Sequence, residues 1–392
     1  MDLPRSQRIE FLDSIRGLAA LAVLFSHAVG MLAAPPLLTP VLEFPLLYPA
    51  IDGKAAVAMF FVLSGFVLSR PYLKSAVDSR PRSLLLAPFY IKRITRIYFP
   101  FFCALGISAL ASIWLFQRYE TIPAQTVWFK QFWSEPWNAR DFLQQCFFLL
   151  HNANRQLMSQ DWSLGVELKA SALLPFLLIA WRRSPVWLAL IGVLLFCFVG
   201  TGFYYLGFTL GIFLAVGIEA LTPQISRKNF TFKCLLLLAG LLMYQARRLL
   251  PLILHLQPKE KWVWLTTSLG CVLILLACFG SRRLQRALNH KTVVFLGRIS
   301  YGVYLLQFLI LVVVIPWFVH QLNGLGIQTP LLVWLLAFGA SIGLTILAGA
   351  IFFQLVEKPS MQFGHALAAR FTPQRESIPQ PAPATVGSAR DP

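Results

Sequence analysis

Asp13, Arg16 and His27 stand in the first long apolar stretch of the chain, and their spacing puts them on one line. Eleven helical steps from Arg16 to His27 come to roughly 1,100°, about 20° past three full turns, and to roughly 16 Å of rise. Asp13 is three residues before Arg16, on the same face, and is its expected ion-pair partner. Ionisable side chains are costly in hydrocarbon, so those that persist face a protein interior or a water-filled cavity. His27 has an imidazole that titrates near neutrality and suits removal of a proton from a hydroxyl. Arg16 stays charged and suits a phosphate or a carboxylate. Taken singly, each has a plainer reading, a structural histidine and a snorkelling arginine. The shared stripe with Asp13 favours a site.

Four further groups carry possible chemistry. Lys92, Arg93 and Arg96 close a basic run that begins at Arg70, and Arg93 and Arg96 share a helical face. Such a patch can hold cofactor phosphates by charge-assisted bonds, or it can set topology and bind anionic lipid. Ser64 and Gly65, within FFVLSGFVLSRP (60–71), are small residues that let helices approach closely. In QDWSLGVE (160–167), Trp162, Ser163 and Glu167 are candidates for holding the acceptor; Ser163 and Glu167 lie four apart on one face. Glu167 reads equally as a carboxylate suited to a helix start. Glu357, in VEKPS (356–360), is expected at a helix end stopped by Pro359, where the dipole disfavours it. It therefore needs a cation, with Arg93, Arg96 or Arg298 as candidates, and reads as structural.

The elements that must position these residues follow from composition. Of 392 residues, 57% are apolar and 13% charged, and mean hydropathy is +0.66, far outside the soluble range. The chain is expected to be all-α and polytopic, with ten spans at 13–33, 54–70, 97–116, 162–181, 185–201, 203–220, 231–248, 262–280, 299–319 and 330–353. Arg16 interrupts the first stretch, which reads as a span and not as a cleavable leader. The net charge of +18 raises nucleic acid as a partner, but most Lys and Arg fall in short loops beside apolar segments, which excludes it. Their distribution puts both termini in the cytoplasm of a plasma (inner) membrane protein that contacts lipid directly. The outer loop 247–261, with Arg247, Arg248, Lys259 and Lys261, is the one misfit.

The six cysteines show no ligand spacing, and neither a metal site nor a disulfide framework is expected. No internal repeat or inverted pair of broken helices is visible. Residues 1–360 form one membrane domain, and 361–392 read as a cytoplasmic, disordered tail. The segment 141–151 is too short to span, and the aromatic loop 117–160 is expected to form a partial lid.

Taken together, these strings resemble the acyltransferase-3 family of integral membrane acyltransferases, over residues 8–360. FLDSIRGLAALAVLFSH is similar to the family's first-helix signature, an Arg and a His separated by ten residues, met here by Arg16 and His27. FFVLSGFVLS, RITR before YFP, WSLGVE, LGRISYGVYLL and VEKP follow in order. The resemblance implies transfer of an acyl group, often acetyl, from cytoplasmic acyl-coenzyme A to a hydroxyl of an extracytoplasmic or lipid-linked glycan. It implies His27 as base or acyl relay, Arg16 as its helix partner and Arg93 and Arg96 in the donor site. It also implies the stand-alone form, without a fused esterase-like domain, and acyl-CoA as co-substrate with no resident cofactor. Two departures stand near the expected acceptor cavity: LKASALLP follows WSLGVE in place of an aromatic pair, and Gln307 replaces a frequent His. The rival reading is a non-catalytic transporter or flippase of an anionic or lipid-linked glycan, which would use the same stripe as a path.

Overall fold

The computed structural model describes residues 9–74, 86–115, 126, 129, 132–133, 136–147, 157–255 and 259–372. Among the described residues the fold is all helical: α1 (Glu10–Met31), α2 (Gly53–Lys74), α3 (Leu86–Leu115), α4 (Ala139–Cys146), α5 (Asp161–Arg183), α6 (Pro185–Phe198) and α7 (Gly202–Arg227). There follow α8 (Phe230–Tyr244), α9 (Ala246–Leu254), α10 (Glu260–Gly280), α11 (Arg282–Leu288), α12 (Lys291–Gly324), α13 (Pro330–Phe352) and α14 (Lys358–Ala369). The apolar runs form helices because hydrocarbon offers no partner to an open backbone. Short polar residues end the connections: Ser184 accepts from Val186 N–H just before Pro185, and Asn229 accepts from Phe232 N–H.

Among the described residues, eight helices are long and apolar enough to cross a membrane, and α8 with α9 forms a pair bent by 83° that passes as one more. The count of eight or nine is close to the ten spans expected from the sequence; the segment expected at 185–201 forms α6, an apolar helix of 14 residues that is short for a span. Other differences lie at the ends. Helix α3 begins at Leu86, before the predicted 97, and α12 extends well beyond 299–319 on both sides.

The C-terminal expectation needs correcting. Pro359 does not stop the last helix: α13 continues through a π turn, Phe353–Glu357, into α14. Proline is tolerated in the first turn of a helix, where its missing N–H has no intrahelical partner to lose. Residues 361–369 are thus helical and not tail, and Ser360 and Gly364 pack against Thr95 of α3. The rest of the expected tail, from 373, lies outside the described residues.

Two pairs of parallel helices form the frame of the bundle. Helix α1 runs beside α12, with Gly17 against Gly297 near one end and His27 against Phe308 toward the other. A Cβ on Gly17 would lie 2.5 Å from the Gly297 nitrogen, so only glycine allows this approach. Helix α2 runs beside α7, where Gly65 meets the Phe208 backbone. Large apolar side chains such as Phe176, Phe198, Leu110 and Ile351 project outward, as expected where the surroundings are lipid.

Candidate active site

Where α1, α2, α5 and α12 meet, a partly open cavity enters the bundle. Arg16, Ser64, Ser163, Glu167, Ser300, Tyr301 and Tyr304 supply its polar wall, and Val57, Phe60, Phe61 and Leu164 its apolar one. Polar groups at this depth need partners, and most have them. Arg93, from α3, donates through Nη2 to Glu167 Oε1 at 2.8 Å and to Ser171 Oγ at 2.9 Å. Ser64 donates to the same Glu167 oxygen at 3.2 Å, and Ser171 donates to the Glu167 carbonyl at 2.8 Å. The Tyr304 hydroxyl lies 2.6 Å from Ser163 Oγ and donates to the Gln160 carbonyl at 3.1 Å. Tyr301 donates to the Ile97 carbonyl at 2.7 Å, tying α12 to α3.

The cavity lies in a charged neighbourhood. Arg96, one turn after Arg93, sits in the field of Arg16, Arg93, Glu167 and Glu357 and keeps an exposed surface. Glu357 is buried, and the cations acting on it are Arg96 and Arg16. Arg16 and Glu167 thus line the cavity, and Arg93, Arg96 and Glu357 lie in the same charged network behind them, three guanidiniums to two carboxylates in all. The positive excess suits an anionic ligand or the negative charge of a tetrahedral intermediate.

The sequence-derived candidates separate on this geometry. Arg16, Ser163 and Glu167 meet at the cavity. Ser64, read as a packing residue, lines it as well, whereas Gly65 serves the contact with α7 and does not bring a backbone to Arg16. Arg93 is buried and committed to Glu167, so the residue expected to bind the donor is joined to one expected to hold the acceptor. Lys92 is exposed. Glu357 sits within a continuous helix and not at its end, and its cationic neighbour is Arg96 among the three expected.

Trp162 turns away from the cavity into an aromatic cluster, with its ring 5.1 Å from Tyr204, which is itself 4.7 Å from Trp264. Asp13 lies against Gly297, and neither it nor His27 lines the cavity. His27 is half-buried, with its ring 6.2 Å from Phe308, one helical turn beyond the cavity residue Tyr304. Two described residues of the loop expected to form a lid contact that end: Thr126 donates to the Gly30 carbonyl at 2.6 Å, and the Phe132 ring lies 4.3 Å from Phe308. In the segment 141–151, Ala139–Cys146 is a short helix whose Gln145 bonds Asp161 at 3.1 Å; residues 148–151 lie outside the described residues.

Residue-by-residue reading missed Phe60, Ser300, Tyr301 and Tyr304. The signal was present in RISYGVY, whose Ser300, Tyr301 and Tyr304 follow an i, i+1, i+4 pattern on one helix. Both departures from the family strings fall beside the site. Ser171 takes a hydrogen bond from Arg93, and the fully buried Gln307 donates to the Tyr304 carbonyl at 3.2 Å.

The family described as "Acyltransferase domain" matches residues 9–350. The chain is also similar to Nodulation protein 10 of Rhizobium leguminosarum bv. viciae, at 30% identity over 184 residues, which is 44% of each chain. The chain thus spans less than half the length of that relative. No solved structure matches it. With the family's match running through α1, the cavity helices and α12, this chain belongs to the acyltransferase-3 family of integral membrane proteins.

Proposed function

We propose that the chain moves a short acyl group, acetyl in the first instance, from cytoplasmic acyl-coenzyme A to a hydroxyl of an extracytoplasmic or lipid-linked carbohydrate. The observation that carries this reading is the cavity lined by Arg16, Ser163, Glu167 and Tyr304 inside an otherwise apolar bundle. Family membership supports acyl transfer over translocation of the same glycan. The charge distribution supports an inner-membrane protein with both ends in the cytoplasm, and so a donor arriving from that side.

In the reaction, the acceptor oxygen attacks the thioester carbonyl while His27 takes the hydroxyl proton. The C–S bond then breaks, and the coenzyme thiolate leaves and recovers the proton from the imidazolium. Arg16 and Arg96 stabilise the oxyanion and the anionic donor. Arg93 holds Glu167 in place, and Ser64 shares that carboxylate. Phe308, whose ring lies 6.2 Å from that of His27, stands one turn beyond Tyr304 on α12, and the acceptor hydroxyl enters between His27 and Tyr304 in this reading.

The test is to supply acetyl-CoA radiolabelled in the acetyl group to membranes that contain the protein. Label entering glycan, and failing to do so with His27→Ala, supports the proposal. Wild-type membranes that move glycan without labelling it would favour the translocation reading.

A further inference from the structure

Arg247, one of the four outer cations that defy the charge bias of the other loops, lines a second, smaller cleft. This cleft lies at the start of α2 and α10, at the opposite end of α2 from Lys74, and is shallow and open to its surroundings, deep enough to admit one hydroxyl of a ligand that sits at its mouth. Asp52, Lys54, Arg247, Trp264 and Thr267 line it. Asp52 is 95% buried by its 5% exposure: Oδ1 accepts from the Ala55 N–H at 3.0 Å, and Oδ2 has no hydrogen-bond partner among the described residues. Burial pushes the Asp52 carboxyl above the usual carboxylate range, against the opposing pull of the Ala55 N–H and Arg247. Arg247 and Lys54 both reach Glu260, at 3.2 and 3.7 Å. Arg248 lies 4.6 Å from the centre of the Tyr48 ring.

A buried acceptor atom beside two cationic donors restricts what can bind. A cation meets Lys54 and Arg247, and an anion meets the Asp52 carboxylate. A neutral group that both donates and accepts satisfies all three, and adjacent hydroxyls on a sugar ring do so. One hydroxyl donates to Asp52 Oδ2, and its neighbour accepts from the N–H groups that Arg247 and Lys54 do not spend on Glu260. Trp264 adds an apolar wall and joins this cleft to the aromatic cluster of Tyr204 and Trp162, which leads toward Phe61 of the main cavity.

We propose that this cleft is an outer-face subsite for the hydroxyl-bearing acceptor, in which Asp52 is the recognising carboxylate. The proposal rests on the reading of the protein as a carbohydrate acyltransferase whose acceptor arrives from outside.

Asp52→Asn tests it at constant volume. The amide oxygen keeps the bond from Ala55 N–H, while its NH₂ presents a donor where the ligand hydroxyl needs an acceptor. Purified full-length protein in micelles is titrated with methyl glucoside, methyl galactoside and N-acetylglucosamine, with saturation-transfer NMR as the readout. A saturable signal from at least one sugar, weakened about tenfold or more in Asp52→Asn and in Arg247→Gln, supports the subsite. No saturable signal, or one equal in the variants, overturns it and leaves a cleft that holds water only. Competition by inorganic phosphate at the same concentration as the sugar also overturns the assignment, in favour of an anion site. Acetyl transfer is measured in parallel. Sugar binding that depends on Asp52 without any acetyl transfer keeps the subsite and sinks the transferase reading, whereas transfer without sugar binding does the reverse.

Discussion

Arg93 and Glu167, 74 residues apart in the chain, form an ion pair at 2.8 Å with the Arg93 side chain only 9% exposed. The pair joins α3 to α5 and decides where the carboxylate on the cavity wall sits. A buried pair adds little net stability, but breaking one side leaves a bare charge in a poor solvent, at a cost of about 3–5 kcal/mol. Arg93→Ala is therefore expected to lower the thermal midpoint in micelles, and the double variant Arg93→Ala/Glu167→Ala to recover part of the loss. Equal midpoints for wild type and Arg93→Ala would show the pair to be dispensable.

Arg96 gives the contrasting case. It keeps an exposed surface among four other charges of the site and can meet an anionic donor. Arg96→Ala removes the main cation acting on the buried Glu357, so the thermal midpoint should fall, and Arg96→Lys should restore it by keeping the charge. The apparent KM for acetyl-CoA should rise several-fold. A KM unchanged in steady-state transfer assays would return Arg96 to a topological role.

His27→Ala should abolish transfer while the protein still inserts and keeps its midpoint. Removing a general base typically costs 10²–10⁴-fold in rate, which radiolabel incorporation resolves easily. Full activity in this variant would refute the assignment of the imidazole as base.

Phe60 lines the apolar side of the cavity, with its ring 6.1 Å from Tyr304. If the acyl chain lies against this apolar side, truncating Phe60 makes room for a longer one, and one methylene is worth about 1–3 kcal/mol in selectivity. Phe60→Ala should shift kcat/KM toward butyryl-CoA over acetyl-CoA by about tenfold or more. An unchanged ratio in a direct competition assay would place the acyl chain elsewhere.

Gly17 and Gly297 permit the close contact of α1 with α12, and that contact brings Arg16 beside Ser300 and Tyr301. Gly17→Val should separate the helices and cost about 2 kcal/mol or more through overpacking. Since Gly17 adjoins Arg16, transfer should fall together with the midpoint. A stable, fully active Gly17→Val would mean that the cavity tolerates a wider helix spacing.

Much of this was legible in the sequence because bilayer chemistry acts on each segment separately. Every spanning stretch must be apolar and helical on its own account, so run length and hydropathy located the apolar helices to within one or two spans, and the cost of buried charge marked Arg16, His27 and Glu167 as residues with a purpose. Local rules failed where a neighbour supplied the reason. Pro359 looked like a stop, yet it occupies a first helical turn in which it breaks nothing. The Arg247 group looked like a topological error until Glu260, Tyr48 and Asp52 appeared beside it.

Sequence alone determined that the protein is a helical membrane bundle with a cation and an imidazole on one face of its first helix, because periodicity and hydropathy are properties of a single segment. Only the tertiary structure decided which charges meet. It gave Arg93 to Glu167, left Arg96 exposed, put Tyr304 and Ser64 on the cavity wall and sent Trp162 away from it. Those partnerships depend on how helices 70 to 300 residues apart pack, through contacts such as Ser64 with Glu167 and Tyr301 with Ile97, and no local pattern encodes that distance.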